Sequence, residues 1–188
     1  VIVSSTGNNV IVALIGMPGA GKSEVSRIFE QSQYAKIRFG DVTDEEVKKR
    51  GLPFNEENER MVRELLRHEH GMAAYAMLNL ARIEAALKTT NVVIDGLYSW
   101  EEFKFLKDRY RNSICTVAVW APPSLRYQRL TGRSVRPLTQ AQAQARDFAE
   151  IENVNKGGPI AMADYTIKND TTLESLVEQT KYVIRAII

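Results

Sequence analysis

The chain reads as an α/β protein with a parallel sheet covered on both faces, and three observations predict it. Short apolar runs alternate with helix-compatible stretches along the whole length. Strands separated by helical crossovers pair in parallel and are buried on both faces. The first apolar run leads directly into a glycine-rich loop followed by a helix, and no linker, repeat or low-complexity stretch divides the 188 residues.

Taken in order, Val10 to Ile15 (VIVALI) is the first strand and Ser23 to Gln31 the first helix. Ala35 to Phe39 is a short extended candidate. Thr43 to Arg50 is a helix opened by the T-x-x-E pattern of Thr43 and Glu46 and stopped by Gly51 and Pro53. Asn55 to Lys88 is helical by composition, two helices broken near Gly71. Asn91 to Asp95 is a second buried strand, and Ser99 with Glu102 caps a helix to about Tyr110. Ser113 to Ala121 is a third strong strand, followed by a helix over Ser124 to Gly132. Thr139 with Gln142 caps another helix, to about Glu152. Tyr165 to Lys168 is a last short strand. Thr171 with Glu174 caps the terminal helix to Ile187.

Composition narrows the function classes. At 21.2 kDa with ordinary apolar and charged fractions, one domain with a full core is expected over residues 1–188. A formal net charge of +2 predicts neither a nucleic-acid nor a membrane partner, and no apolar stretch approaches a membrane span. The lone Cys115 sits in an apolar run, which predicts a core thiol and a cytoplasmic protein. The N-terminal apolar segment runs into the glycine-rich loop and so reads as a core strand, not a signal peptide; the start at Val1 reads as loss of an initiator Met. His68 and His70, two apart on a helix, face different directions and do not read as a metal pair.

Residues Gly16 to Ser23 read GMPGAGKS and fit the phosphate-binding pattern G-x-x-x-x-G-K-[S/T] at every fixed position. The expected polyphosphate cradle is Gly16, Met17, Pro18, Gly19, Ala20, Gly21, Lys22 and Ser23, with Glu24 next in the helix. The helix dipole points its positive end at the same anion. Lys22 is expected on the β and γ phosphates and Ser23 on Mg²⁺. Asp95, at the C-terminal end of a buried strand, lies on the edge where open parallel sheets bind ligands and is the second candidate for the metal. Asp41 projects toward the same edge. From Arg109 to Arg146 there is no Asp or Glu, yet arginine occurs at seven positions. Arg126, Arg129 and Arg133 have the spacing of one helical face. One-sided charge of that kind beside a phosphate loop suggests an anionic ligand.

In the order and spacing of these elements the chain resembles the small P-loop kinases of the nucleoside monophosphate kinase type, notably adenylate kinase-related proteins and dephospho-CoA kinases. The carriers are GMPGAGKS, Gly40 with Asp41, VVIDG at Val92 to Gly96, RYQRLTGR at Arg126 to Arg133, and ADYTIKND at Ala163 to Asp170. The resemblance implies a three-layer P-loop NTPase fold with a central five-stranded parallel sheet, helices on both faces, and an arginine-bearing lid at about 126–146. It implies ATP and Mg²⁺ as cofactors, Arg129, Arg133 and Arg136 as catalytic lid residues, and Asn169 beside the adenine. Two arginines that grip the acceptor phosphate in adenylate kinases are replaced, one by about Asp44, the other within Leu97 to Trp100. Arg60, Arg63 and Arg67 are the candidate substitutes. A hydroxyl acceptor benefits from a carboxylate base, whereas a phosphate acceptor mainly needs cations. With clamps lost and Asp41 kept, the expectation is an ATP-dependent kinase of a small nucleotide-like molecule, dephospho-CoA first. The alternatives are a nucleoside monophosphate kinase and an ATP-binding switch. A GTPase is disfavoured, because Asn155 and Lys156 are followed by two glycines rather than the guanine-reading N-K-x-D.

Overall fold

The computed structural model describes residues 9–135 and 137–187. Five strands form one parallel sheet: β1 (Ile11–Ile15), β2 (Ala35–Arg38), β3 (Val92–Asp95), β4 (Ile114–Trp120) and β5 (Tyr165–Lys168), in spatial order β2-β3-β1-β4-β5. The helices are α1 (Lys22–Gln31), α2 (Asp41–Lys49), α3 (Glu56–His70), α4 (Ala74–Leu78), α5 (Leu80–Leu87), α6 (Trp100–Tyr110), α7 (Pro123–Thr131), α8 (Gln140–Glu152), α9 (Gly157–Ala161) and α10 (Leu173–Ile187).

Side chains alternate across a strand, and that alternation splits the core in two. Ile11, Ala13 and Ile15 of β1 face a cluster that includes Val47, Val62, Tyr75, Ile83 and Leu106. Val12 and Leu14 face the other, with Val25 and Phe29 of α1 and Leu176 and Val183 of α10. Both faces being covered, β1 is apolar at every position. It lies between β3 and β4, pairing Leu14 with Asp95 on one side and Ile15 with Ala118 on the other. The phosphate loop therefore leaves the centre of the sheet at its C-terminal edge, where the chain reverses its direction of travel across the strands.

Several boundaries differ from expectation, each for a tertiary reason. α2 begins at Asp41 on Gly40 without a side-chain cap. Thr43 instead lies buried and shares a 2.6 Å hydrogen bond with the Tyr75 hydroxyl, so packing takes the hydroxyl that the T-x-x-E pattern assigned to a cap. The 55–88 stretch is three helices: Gly71, at φ 78°, ends the first, and a second break falls at buried Asn79, whose amide bonds back to the Tyr75 carbonyl. At α10 it is Thr172, not Thr171, whose hydroxyl accepts from the Ser175 amide. The boxes at Ser99 and Thr139 form as the spacing predicts, and α9 is an addition. Among the described residues no helix is long and apolar enough to cross a membrane. Cys115 is buried and free, and burial pushes its thiol up to about 12.

Candidate phosphate-binding cleft

The loop between β1 and α1 is held by its own surroundings. Gly16 and Gly21 have φ of 151° and 102°, in the region that favours glycine. A Cβ on Gly16 would lie 2.3 Å from the Val119 carbonyl oxygen, and one on Gly21 2.1 Å from the Asn169 amide nitrogen. The side-chain amide of Asn169 donates to the Ala20 carbonyl at 2.8 Å, while its carbonyl groups accept from Arg129 Nη2 at 2.9 and 3.2 Å. Arg129 also donates to Gly19 O at 3.4 Å. Asn169, expected beside the adenine, and Arg129, expected in the lid, together brace the loop from β5 and α7.

α1 starts on Gly21 with no side-chain cap, and its first two residues, Lys22 and Ser23, line the cleft. Lys22 folds back, donating from Nζ to the carbonyls of Gly16 (2.8 Å) and Met17 (3.2 Å). Burial pushes this ammonium down to about 7; Lys156 adds to the effect, Glu150 and Asp95 oppose it. Pro18, Gly19, Lys22 and Ser23 form one wall of a cleft of about 140 Å³. Asp95, Gly96 and Tyr98 form its floor, with Arg38 from β2. Arg133, Arg146, Glu150 and Lys156 close it from the α7–α9 side. Ser23 and Arg133 also line a broader outer depression of about 750 Å³ with Arg129, Gly132, Ser134 and Val135.

The arginines separate by role. Arg126 is 4% exposed and makes a two-point ion pair with Asp147, Nη1 to Oδ1 at 2.8 Å and Nη2 to Oδ2 at 2.6 Å. It also donates to the carbonyls of Ala121 and Pro18, so it is a strut between α7, α8 and the loop, not a lid residue. Arg133 lies past the end of α7 and off the shared helical face that its spacing predicts. Arg136 lies outside the described residues.

Asp41 and Asp44 both accept from Arg38 Nη1 at 2.7 Å. Asp41 is half exposed, and it is Arg38 that lines the cleft. Of the three proposed substitute clamps, Arg60 pairs with Glu64, Arg63 pairs with Glu56, and Arg67 lies over the Tyr75 ring. Besides Lys22 and Arg133, the cations that line the cleft are Arg38, Arg146 and Lys156, from β2, α8 and the approach to α9. Arg146 belongs to the charge-biased segment visible in the sequence; Arg38 and Lys156 carry no local signal.

The residues fit Mg²⁺ carried by a polyphosphate. Ser23 and Asp95 share the cleft, and Lys36 Nζ lies 3.7 Å from Asp95. Two such ligands leave most of an octahedral shell to phosphate and water. Among the described residues no three His, Cys, Asp or Glu side chains form a metal cage.

Residues 12–154 match the family described as the AAA domain. Over 183 residues the chain is 37% identical to a UPF0200 protein of Thermococcus kodakarensis, covering 95% of this chain and 98% of that one. In fold it is similar to a gluconokinase from Sinorhizobium meliloti, with TM-score 0.60 and 16% identity over 96% of this chain and 93% of that one. A shikimate kinase from Bacteroides thetaiotaomicron gives TM-score 0.61 and 15% identity over 95% and 98%. The fold is thus the three-layer P-loop kinase fold, and the chain belongs to the UPF0200 family, with the AAA domain over residues 12–154.

Proposed function

We propose that this chain is an ATP- and Mg²⁺-dependent phosphotransferase that acts on a hydroxyl of a small nucleotide-like acceptor, dephospho-CoA being the first candidate. One observation carries the reading: the loop bearing Lys22 and Ser23 shares a single cleft with Asp95 and with the cations of the α7–α9 side. The outer depression suits the nucleoside, and Ser23 with Arg133 marks the passage of the phosphates inward. When bound, Mg²⁺ and ATP supply the phosphoryl group and a divalent charge on its oxygens. Ser23 and Asp95 hold the metal. Lys22 would leave the Gly16 and Met17 carbonyls for the phosphates, and Arg129, Arg133 and Arg136 would balance charge on the moving group. Asp41 orients the acceptor hydroxyl or takes its proton. Arg38 keeps Asp44 as its counter-ion when Asp41 turns to the acceptor. A second reading, a nucleoside monophosphate kinase, is favoured by Arg38, Arg146 and Lys156, the kind of cations that an acceptor phosphate needs.

Radiolabel transfer from γ-labelled ATP to dephospho-CoA, nucleosides and nucleoside monophosphates separates these readings. Product from dephospho-CoA is expected, with little from the monophosphates. Lys22→Ala should abolish transfer yet melt as a folded protein. Asp41→Asn should cut turnover by ~10² to 10⁴, the range for loss of a general base. Robust transfer to a monophosphate with Asp41→Asn indifferent would replace the hydroxyl reading by the monophosphate one. ATP hydrolysis indifferent to every acceptor would leave a nucleotide-dependent switch.

A further inference from the structure

The wall of the cleft formed by α8 and the approach to α9 holds one carboxylate between two cations. Glu150 accepts from Lys156 Nζ and, at 3.3 Å, from Arg146 Nε. Lys156 is 1% exposed, and its ammonium lies 5.0 Å from the centre of the Tyr98 ring. Lys156 and Glu150 line the same cleft as Lys22, whose own ammonium donates to the loop carbonyls of Gly16 and Met17. A buried charge is costly unless it is paired, and a pair serving only to fasten α9 to α8 would be complete with Lys156 and Glu150 alone. Here the lining of the cleft holds five basic side chains, Lys22, Arg38, Arg133, Arg146 and Lys156, against two carboxylates, Asp95 and Glu150. The local surplus calls for an anion in the cleft.

We propose that Lys156 is a second phosphate-contacting lysine, which grips the terminal phosphate of a bound nucleoside triphosphate from the α8–α9 wall while Glu150 serves as its counter-ion until that phosphate arrives. This rests on the nucleotide-binding reading above. The ligand class is a polyphosphate whose last phosphate reaches past Lys22. Tyr98 holds the stem of the site: its ring lies under the ammonium, and burial raises its hydroxyl above the usual range, so it stays neutral.

Calorimetric titration of the folded chain with Mg·ATP and Mg·ADP tests this, because the ratio of the two affinities isolates the terminal phosphate. Wild type is expected to prefer Mg·ATP. Lys156→Met should reduce that preference by about tenfold or more, the worth of one charge-assisted hydrogen bond. Glu150→Gln should move it the other way, raising the preference while lowering the melting temperature, since it frees Lys156 and removes its counter-ion. An ion pair with a purely structural role makes the two variants alike: both less stable, with the ratio unchanged. An unchanged ratio in Lys156→Met overturns the proposal. Should that variant not fold, Glu150→Gln decides alone, and no rise in the ratio overturns it. Wild type that binds neither nucleotide removes the nucleotide-binding reading itself, whereas wild type that binds both with variants that leave the ratio alone removes only the role of Lys156.

Discussion

Glu102 is a carboxylate fully removed from water, and its chemistry follows from that. Its Oε2 accepts from the backbone amides of Tyr98 at 2.8 Å and Ser99 at 3.3 Å, while the Ser99 hydroxyl accepts from the Glu102 amide and closes the capping box of α6. Burial pushes its carboxyl up to about 7; the two backbone bonds, Arg67 and Lys156 oppose but do not cancel the effect. The folded state therefore holds a proton that the unfolded chain releases above about 4.5. The resulting stability is fully present below that pH and lost as pH rises through about 7. Glu102→Gln keeps an acceptor for the cap and imitates the protonated acid. In urea melts the variant should gain on wild type between pH 5 and pH 8, by up to about 3 kcal/mol. Parallel stability profiles for the two proteins would show that Glu102 is ionised in the fold. Sequence spacing alone reveals this cap, because Ser99 and Glu102 are three residues apart; the burial that alters its acidity depends on helices far along the chain.

At the scale of elements, the same division separates what spacing reveals from what it hides. β1, its loop and α1 are legible because an apolar run, a glycine pattern and a helix stretch are local, and so are the boxes at Ser99 and Thr139. The hydroxyl of Thr43, by contrast, is claimed by Tyr75, 32 residues away, which no local pattern announces. Arg126 shows the same limit. Its spacing from Arg129 and Arg133 suggests one anion-facing row, yet Asp147, just beyond the acid-free stretch, takes its whole guanidinium edge. The pair ties α7 to α8, so Arg126 is held by the fold itself. The arginines should then separate under mutation. Arg126→Met strands a buried Asp147, with only the Tyr127 hydroxyl at 3.0 Å left among the bonds described, and should cost about 3–5 kcal/mol in denaturant melts. Arg133→Ala should leave stability within about 0.5 kcal/mol of wild type and lower turnover more than ATP affinity. A stable Arg126→Met protein with a specific defect in phosphate binding would return Arg126 to the cleft.

At the scale of the molecule, the cleft depends on the whole fold. Its walls come from the loop after β1, the ends of β2 and β3, and Arg133, Arg146, Glu150 and Lys156, and the loop is itself braced by Arg129 of α7 and by Asn169 after β5. A ligand that touches all of these at once binds the native state and not the unfolded chain, which carries no such assembly. At a free concentration one hundred times its dissociation constant, such a ligand adds about 2.7 kcal/mol of stability. For a chain of this size that corresponds to a rise in melting temperature of roughly 5–10 °C. Mg·ATP should produce this shift, and Lys22→Ala should lose most of it. Mg²⁺ alone should produce little, since Ser23 and Asp95 supply too few ligands without the phosphates and the described residues contain no three-carboxylate or histidine cage. Melting curves with Mg²⁺, ATP and both together decide the matter. A shift with Mg²⁺ alone would mean that the chain carries a metal site of its own, while no shift with Mg·ATP at millimolar concentration would mean that the loop between β1 and α1 does not hold a polyphosphate.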